Sequence, residues 1–280
     1  MWEHPLQQTR IARNHTAMHS PRVSALLAAA LLLIPLQRAP ADTRYVWSDA
    51  SGDEQVTREP PPQGIVYSRI SIPDAISWRR RPEMPKAFTP KTPPSTQELF
   101  NQAASSIYWV ESIEGDKLNS ERITHYGSAV AISDELALTN CHVTRGSGAE
   151  LTIGAGRTDE TGEAELEAAD FDADRCVIRS RTLRLQPVKG IRPYDNLEIG
   201  ETVYTIGNPR RLERTLGNGL VSGKRELQGE RWIQFTAPIS RGSSGGGLFD
   251  AQGNLIGITS LSMRDAQGIN FAIPAEEFWK

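Results

Sequence analysis

Cysteine is scarce in this 280-residue chain: Cys141 and Cys176 are its whole supply. No C-x-x-C pair exists to open a zinc or redox site, so no metal and no cofactor are expected. An excess of positive charge is also missing. Lysine and arginine number 31 against 34 acidic residues, for a formal net charge of −3, the wrong balance for a nucleic-acid footprint. Long hydrophobic runs are nearly absent. Only the 14 positions from Val23 to Leu36 qualify, and they fall short of the ~20 that a helix needs to cross a membrane. There is no internal repeat period. The last scarcity is the most useful one: the chain has five histidines.

The apolar run belongs to a recognisable leader. Arg22 precedes it and Ala39-Pro40-Ala41 follows it, which makes a basic n-region, a short h-region and an A-x-A cleavage site. A signal peptide is expected over residues 1–41, with cleavage after Ala41 and Met18 as a possible start. The mature protein would then be periplasmic or secreted, with no stable membrane span. Residues 1–41 hold four arginines against one glutamate, so their loss takes the formal charge from −3 to −6. It also removes His4, His15 and His19. Only His125 and His142 remain.

Three parts follow. In 42–73, Arg44-Tyr45-Val46-Trp47 alternates like a strand, Ser48 to Asp53 supplies turn chemistry, and Glu54 to Thr57 returns. This predicts a small β-hairpin module, which is marginal on its own in water. Its pattern Tyr45-x-Trp47-x-Asp49-x-x-Gly52, followed by Pro60-Pro61-Pro62, resembles a short domain of unknown function found near the N-termini of secreted proteobacterial proteins. Residues 74–95 are basic and proline-rich, with Arg79-Arg80-Arg81-Pro82 and the run Pro85 to Pro94. They read as an extended, solvated spacer. In 96–280, Thr96 to Ser106 has helical spacing. Then come short apolar or alternating runs: Ser128–Ile132, Leu136–Leu138, Leu151–Ile153, Cys176–Ile178, Thr202–Ile206, Leu220–Ser222, Trp232–Thr236, Leu255–Thr259 and Ile269–Ile273. Without recurring helical crossovers they point to an all-β barrel or sandwich. Ala275 to Lys280 fits a last helical turn.

Gly242-Ser243-Ser244-Gly245-Gly246-Gly247 lies between two strand-like runs. It offers a hydroxyl on a backbone that turns tightly and leaves N–H groups free, the local chemistry of a serine nucleophile beside an oxyanion hole. Serine needs an adjacent base. His142, at the end of the apolar strand Leu136–Leu138, is better placed to be aimed than His125, which reads as a surface histidine. An acid must then hold the imidazole. Of Asp170, Asp172 and Asp174, only Asp174 directly precedes the strand Cys176–Ile178. The stretch also satisfies G-x-S-x-G, the α/β-hydrolase elbow, but that fold places its histidine after the serine and none follows Ser244. The subtilisin order places the acid first, on an α/β fold. The order His142, Asp174, Ser244 is that of chymotrypsin-type enzymes.

With these residues in hand, the chain from about 105 to 275 resembles the trypsin-like (chymotrypsin-fold) serine peptidases, closest to the bacterial Deg/HtrA type. The resemblance rests on Gly127 to Ile132, Thr139-Asn140-Cys141-His142-Val143, Asp174 to Ile178, Ile206-Gly207-Asn208-Pro209 with Gly219 to Gly223, and Gln234 to Gly246 with Phe271 to Pro274. It implies two six-stranded antiparallel β-barrels with the site in the cleft between them. It implies that Ser244 attacks the scissile carbonyl, His142 carries the proton and Asp174 orients His142. The oxyanion hole would be the Gly242-Ser243-Ser244 backbone, using the N–H groups of Gly242 and Ser244, and Ser260 would support the acid. The specificity pocket would hold Pro238, Ile239, Leu261 and Ile269, an apolar set suited to small or medium aliphatic side chains.

The departures carry information too. The sequence runs out just past the closing strand, so a C-terminal PDZ domain is not expected. Gly247 stands where the family usually has proline, which predicts a looser turn. The activating Ile-Val-Gly-Gly terminus of animal relatives is missing, and Ser243 replaces its aspartate partner. If His142 and Asp174 are neighbours, Cys141 and Cys176 come within disulfide reach, so a bridge is expected over two free thiols. The reading is an exported serine endopeptidase acting on protein or peptide substrates. Its alternative is a catalytically silent trypsin-fold binding or scaffold protein of the cell envelope.

Overall fold

Alternate residues of several strands serve two different hydrophobic clusters, and this two-sided burial organises the body of the protein. The computed structural model describes residues 42–48, 54–57, 60–72, 76–114, 123–144, 150–156, 160–227, 229–262 and 268–280. The expected signal peptide over 1–41 lies outside the described residues.

The N-terminal part is a sheet of three strands, β1 (Asp42–Ser48), β2 (Glu54–Thr57) and β3 (Tyr67–Ile72), in the order β2-β1-β3. The expected hairpin is there, with Tyr45 opposite Thr57. A third antiparallel strand joins its other edge, with Trp47 opposite Tyr67. That addition meets the problem that two strands alone are marginal.

A helix, α1 (Thr96–Ala103), opens the body. Ser95 caps it: Glu98 N–H donates to Ser95 Oγ, and the Glu98 carboxylate accepts from Ser95 N–H in return, a reciprocal box that satisfies two orphan donors. The first barrel follows with β4 (Ile107–Glu114), β5 (Ile123–Ala131), β6 (Leu136–Thr139), β7 (Glu150–Gly154), β8 (Thr161–Asp170) and β9 (Arg175–Ser180), closed in the order β4-β5-β6-β9-β8-β7. One helical turn, α2 (Cys141–Thr144), leaves the end of β6. The second barrel holds β10 (Thr202–Gly207), β11 (Thr215–Leu227), β12 (Glu230–Phe235), β13 (Gly247–Asp250), β14 (Leu255–Ser262) and β15 (Asn270–Pro274), closed as β10-β11-β12-β15-β14-β13. The chain ends in a 3-10 turn, Ala275–Trp279. The all-β class and the two six-stranded antiparallel barrels stand as the resemblance implied.

In β5, Ala129 and Ala131 face the first barrel's own core, and Val130 faces a cluster shared by both barrels. In β6, Ala137 lies in the first core and Leu136 and Leu138 in the shared cluster. In β9 the split is Cys176 and Ile178 against Val177. Side chains alternate across a strand, so a strand buried on both faces reads as an unbroken apolar run. The shared cluster also takes Ile206, Phe249 and Ile258 from the second barrel. It glues the barrels together beneath the cleft.

Of the barrel strands, β4, β8 and β13 were not among the expected runs. Strand β8 is rich in Glu and Ala, a helix-forming composition, yet Glu167 is fully buried there. Its carboxylate accepts from Arg179 Nε at 2.9 Å and from Arg80 N–H at 3.4 Å. Burial alone would raise its pKa, but the bonds and charge of Arg179 hold it below the ordinary carboxylate value.

The solvated spacer over 74–95 needs correction, because its described part is laid against the body. Ile76 and Ala169 exchange backbone hydrogen bonds, both 2.9 Å. The rings of Trp78 and Trp279 lie 6.0 Å apart, and Trp78 Nε1 donates to the Phe278 carbonyl at 3.2 Å. Phe88 N–H donates to Asn254 Oδ1 at 2.8 Å, and Asn254 Nδ2 donates back to the Phe88 carbonyl at 3.0 Å. Proline and arginine suggested solvation. The tryptophan and the backbone donors between them found partners on both barrels instead.

Candidate active site

Three backbone segments converge on the cleft: the turn α2 after β6, the tight turn between β8 and β9, and the glycine-rich loop before β13. His142 sits in α2, anchored by buried Cys141 and Val143. Thr144 Oγ1 donates to the Cys141 carbonyl at 2.9 Å. A disulfide joins Cys141 to Cys176, with the two Cα atoms 4.8 Å apart. It therefore links the residue before His142 to the residue two places after Asp174.

Asp174 ends the β8–β9 turn with φ +56°. A left-handed conformation costs an ordinary residue about 1–2 kcal/mol, and such strain persists where surroundings over-determine it. Here they do. Asp174 Oδ1 accepts from His142 N–H at 3.0 Å, while Oδ2 lies 2.9 Å from His142 Nδ1 and accepts from Ser260 Oγ at 3.0 Å. Of the competing acids, Asp170 is instead tied to Arg175 and to Ala173 N–H within the turn.

Burial opposes charge on both partners of the pair. The Asp174 carboxylate nevertheless outweighs burial and raises the His142 pKa above its usual 6.5. The His142 charge, with bonds from His142 and Ser260, likewise holds Asp174 below its usual 3.8. The imidazole is thus fixed through Nδ1, which leaves Nε2 as its proton-accepting atom. His125 was read as a surface histidine. It is half-buried on β5, and burial together with the charge of His142 pushes its pKa down to about 4, so it is neutral at pH 7.

The loop carrying Ser244 is held through its carbonyls. Arg241 O accepts from Arg210 N–H at 2.7 Å, Gly242 O from Ser128 Oγ at 2.7 Å, Ser243 O from Thr259 Oγ1 at 2.6 Å, and Ser244 O from Ser128 N–H at 2.8 Å. Among the described residues, the N–H groups of Gly242 and Ser244 have no protein acceptor. Gly242 and Gly245 have φ +90° and +82°. A Cβ at Gly245 would sit 1.9 Å from the Ser128 carbonyl oxygen, so glycine is required there. Gly247 is not loose: it opens β13, opposite Ile206 and Ile258. Ser244 Oγ donates to the Ser260 carbonyl at 3.3 Å rather than to the imidazole.

Pro238 and Ile239 line a cavity of about 190 Å³ with Thr205, Leu216 and Ser243. Ile269 is half-buried and outside that lining, and the Leu261 side chain lies outside the described residues. Ser128, Thr259 and Asn140 were not singled out by sequence reasoning. A buried polar residue inside a motif was the available signal for each. No group of three or more His, Cys, Asp or Glu able to hold a metal occurs among the described residues.

A family described as "Trypsin-like peptidase domain" matches residues 127–258. The serine endoprotease DegS of Haemophilus influenzae is 32% identical over 198 residues, covering 65% of this chain and 55% of its own. Serine protease HTRA4 of Homo sapiens is 31% identical over 190 residues, covering 64% and 39%. The solved structure titled "HtrA-type protease AlgW with tripeptide" superposes with a TM-score of 0.58 at 31% identity, over 66% of this chain and 62% of that one. The chain spans about half the length, or less, of curated relatives such as these. The barrels, the residues gathered between them and these relatives agree: over its two barrels the chain is similar to the trypsin-like serine peptidases of the Deg/HtrA type, and together they support that reading of it.

Proposed function

We propose that this protein is an exported serine endopeptidase in which Ser244 is the nucleophile, His142 the general base and Asp174 its orienting acid. Ser244 Oγ turns about its Cα–Cβ bond toward His142 Nε2, passes its proton there and attacks the scissile carbonyl carbon. The oxyanion is received by the N–H groups of Gly242 and Ser244, where losing one donor costs ~3 kcal/mol of transition-state stabilisation. His142 then protonates the leaving amine, and water, deprotonated by the same imidazole, hydrolyses the acyl-enzyme. The observation that carries this reading is the loop geometry. Four successive carbonyls are tied back, and the two amides beside the serine are left without acceptors among the described residues.

A fluorophosphonate probe tests it. Wild type labels and Ser244→Ala does not. An unlabelled, folded wild type refutes the enzyme reading and leaves the second one, a silent trypsin-fold binding protein. That reading draws on the Ser244 hydroxyl, which is hydrogen-bonded to the Ser260 carbonyl.

The finer proposals follow from the same residues. The domain limits are 42–73, 74–95 and 96–280. Cleavage after Ala41 gives a mature protein beginning at Asp42, which N-terminal sequencing of the exported form checks. The apolar residues Pro238 and Ile239 favour small or medium aliphatic side chains before the scissile bond. Cleavage restricted to sites after lysine or arginine overturns that preference.

A further inference from the structure

Asn140 is fully buried at the step from β6 into α2. Its carboxamide makes two hydrogen bonds to two different backbone segments. Nδ2 donates to the Asp174 carbonyl at 3.2 Å, and Oδ1 accepts from Gly245 N–H at 2.7 Å. The amide's orientation is fixed chemically, because a carbonyl only accepts and a backbone N–H only donates. Both backbones are left-handed, Asp174 at φ +56° and Gly245 at φ +82°.

We propose that Asn140 is a positioning residue, setting the acid and the nucleophile loop at one fixed separation through a single side chain. This rests on the proposed roles of Asp174 and Ser244. The two ends are not equally redundant. Gly245 N–H also donates to the Thr259 carbonyl at 2.9 Å, so the loop keeps a second tether without Asn140. Among the described residues, the Asp174 carbonyl has only Asn140 Nδ2 as a donor. The acid end therefore depends on Asn140 more than the serine end does.

Residue type follows from this. The site needs one donor and one acceptor on a planar group one carbon from the backbone. Aspartate keeps the acceptor and, when ionised, lacks the donor. Alanine lacks both. A shift of the acid reaches the reaction through His142, whose imidazole Asp174 grips at Nδ1. A misplacement of about 1 Å costs on the order of 10²-fold in rate.

The test compares full-length Asn140→Ala and Asn140→Asp with wild type. It measures kcat and KM on a peptide substrate, the fluorophosphonate-titrated fraction, and the His142 titration by NMR. The expected result for Asn140→Ala is a kcat lower by 10-fold to 100-fold with KM nearly unchanged, and a His142 midpoint displaced toward the ordinary histidine value. Asn140→Asp, with the loop tether kept, shows a similar loss of kcat; its added negative charge itself raises the His142 midpoint, so the titration is read on Asn140→Ala. The proposal is overturned if both variants keep kcat per titrated site within about two-fold of wild type, since a purely structural residue loses activity only with its folded fraction. It is also overturned if the His142 midpoint stays in place in Asn140→Ala. Should one variant not fold, the other decides. The NMR titration requires no turnover, so it reads the positioning role even if wild type is inert to the probe, the outcome that sinks the enzyme reading itself.

Discussion

Removing the Cys141–Cys176 bridge is expected to cost stability far more than catalysis. The bridge closes a loop of 35 residues. In the chain-entropy model such a loop contributes ~4 kcal/mol by restricting the unfolded chain. For a body of this size each kcal/mol moves the melting temperature by about 2–4 °C, so the double variant Cys141→Ala/Cys176→Ala melts about 8–16 °C lower. Catalysis has independent support. His142 N–H and Nδ1 both bind the Asp174 carboxylate, and Ser260 Oγ donates to its Oδ2. At a temperature where the variant is fully folded, kcat should stay within a few-fold of wild type. Calorimetry and initial rates on one sample measure both quantities. A melting point lowered by less than about 3 °C refutes the loop-entropy reasoning. A kcat lowered more than 100-fold in the folded variant shows instead that the bridge, and not the hydrogen bonds, aims the pair.

His142 must be neutral to accept a proton, so the acid limb of kcat/KM should have its midpoint above the ordinary 6.5; a midpoint below 6.5 in the pH–rate profile contradicts the Asp174 contact. Its stability contribution is present below 6.5 and fades as pH rises through the elevated folded value. His125 has the opposite sign: with a folded pKa of about 4, the unfolded chain takes its proton first, and stability is lost as pH falls from 6.5 toward 4. His125→Gln should flatten that loss, as read from urea midpoints at neutral and acid pH. Gly245→Ala forces a Cβ to within 1.9 Å of the Ser128 carbonyl at a φ that itself costs about 1–2 kcal/mol; it should lower the melting temperature and abolish probe labelling, and wild-type labelling kinetics would refute the requirement for glycine.

The residues gathered at the cleft were legible because their types are rare and their order is informative. Two histidines lie beyond residue 41, and only His142 comes just after a strand buried along its whole length. The barrels were legible where both strand faces are apolar, as in Val130 and Leu138. They were illegible in β8, where Glu167 is buried against Arg179 from another strand, a pairing that local composition does not encode. Asn140 was invisible for a similar reason: its two partners lie 34 and 105 positions away. The segment containing Trp78 and Phe88 was misread because prolines set an extended backbone without saying what that backbone lies against.

The tie between Ile76 and Ala169 also sets the reach of the N-terminal sheet. Four residue steps separate Ile72, the end of β3, from Ile76, and a fully stretched chain spans at most ~14 Å over that distance. Whichever way it turns, that end of the sheet is thereby kept within that short radius of β8.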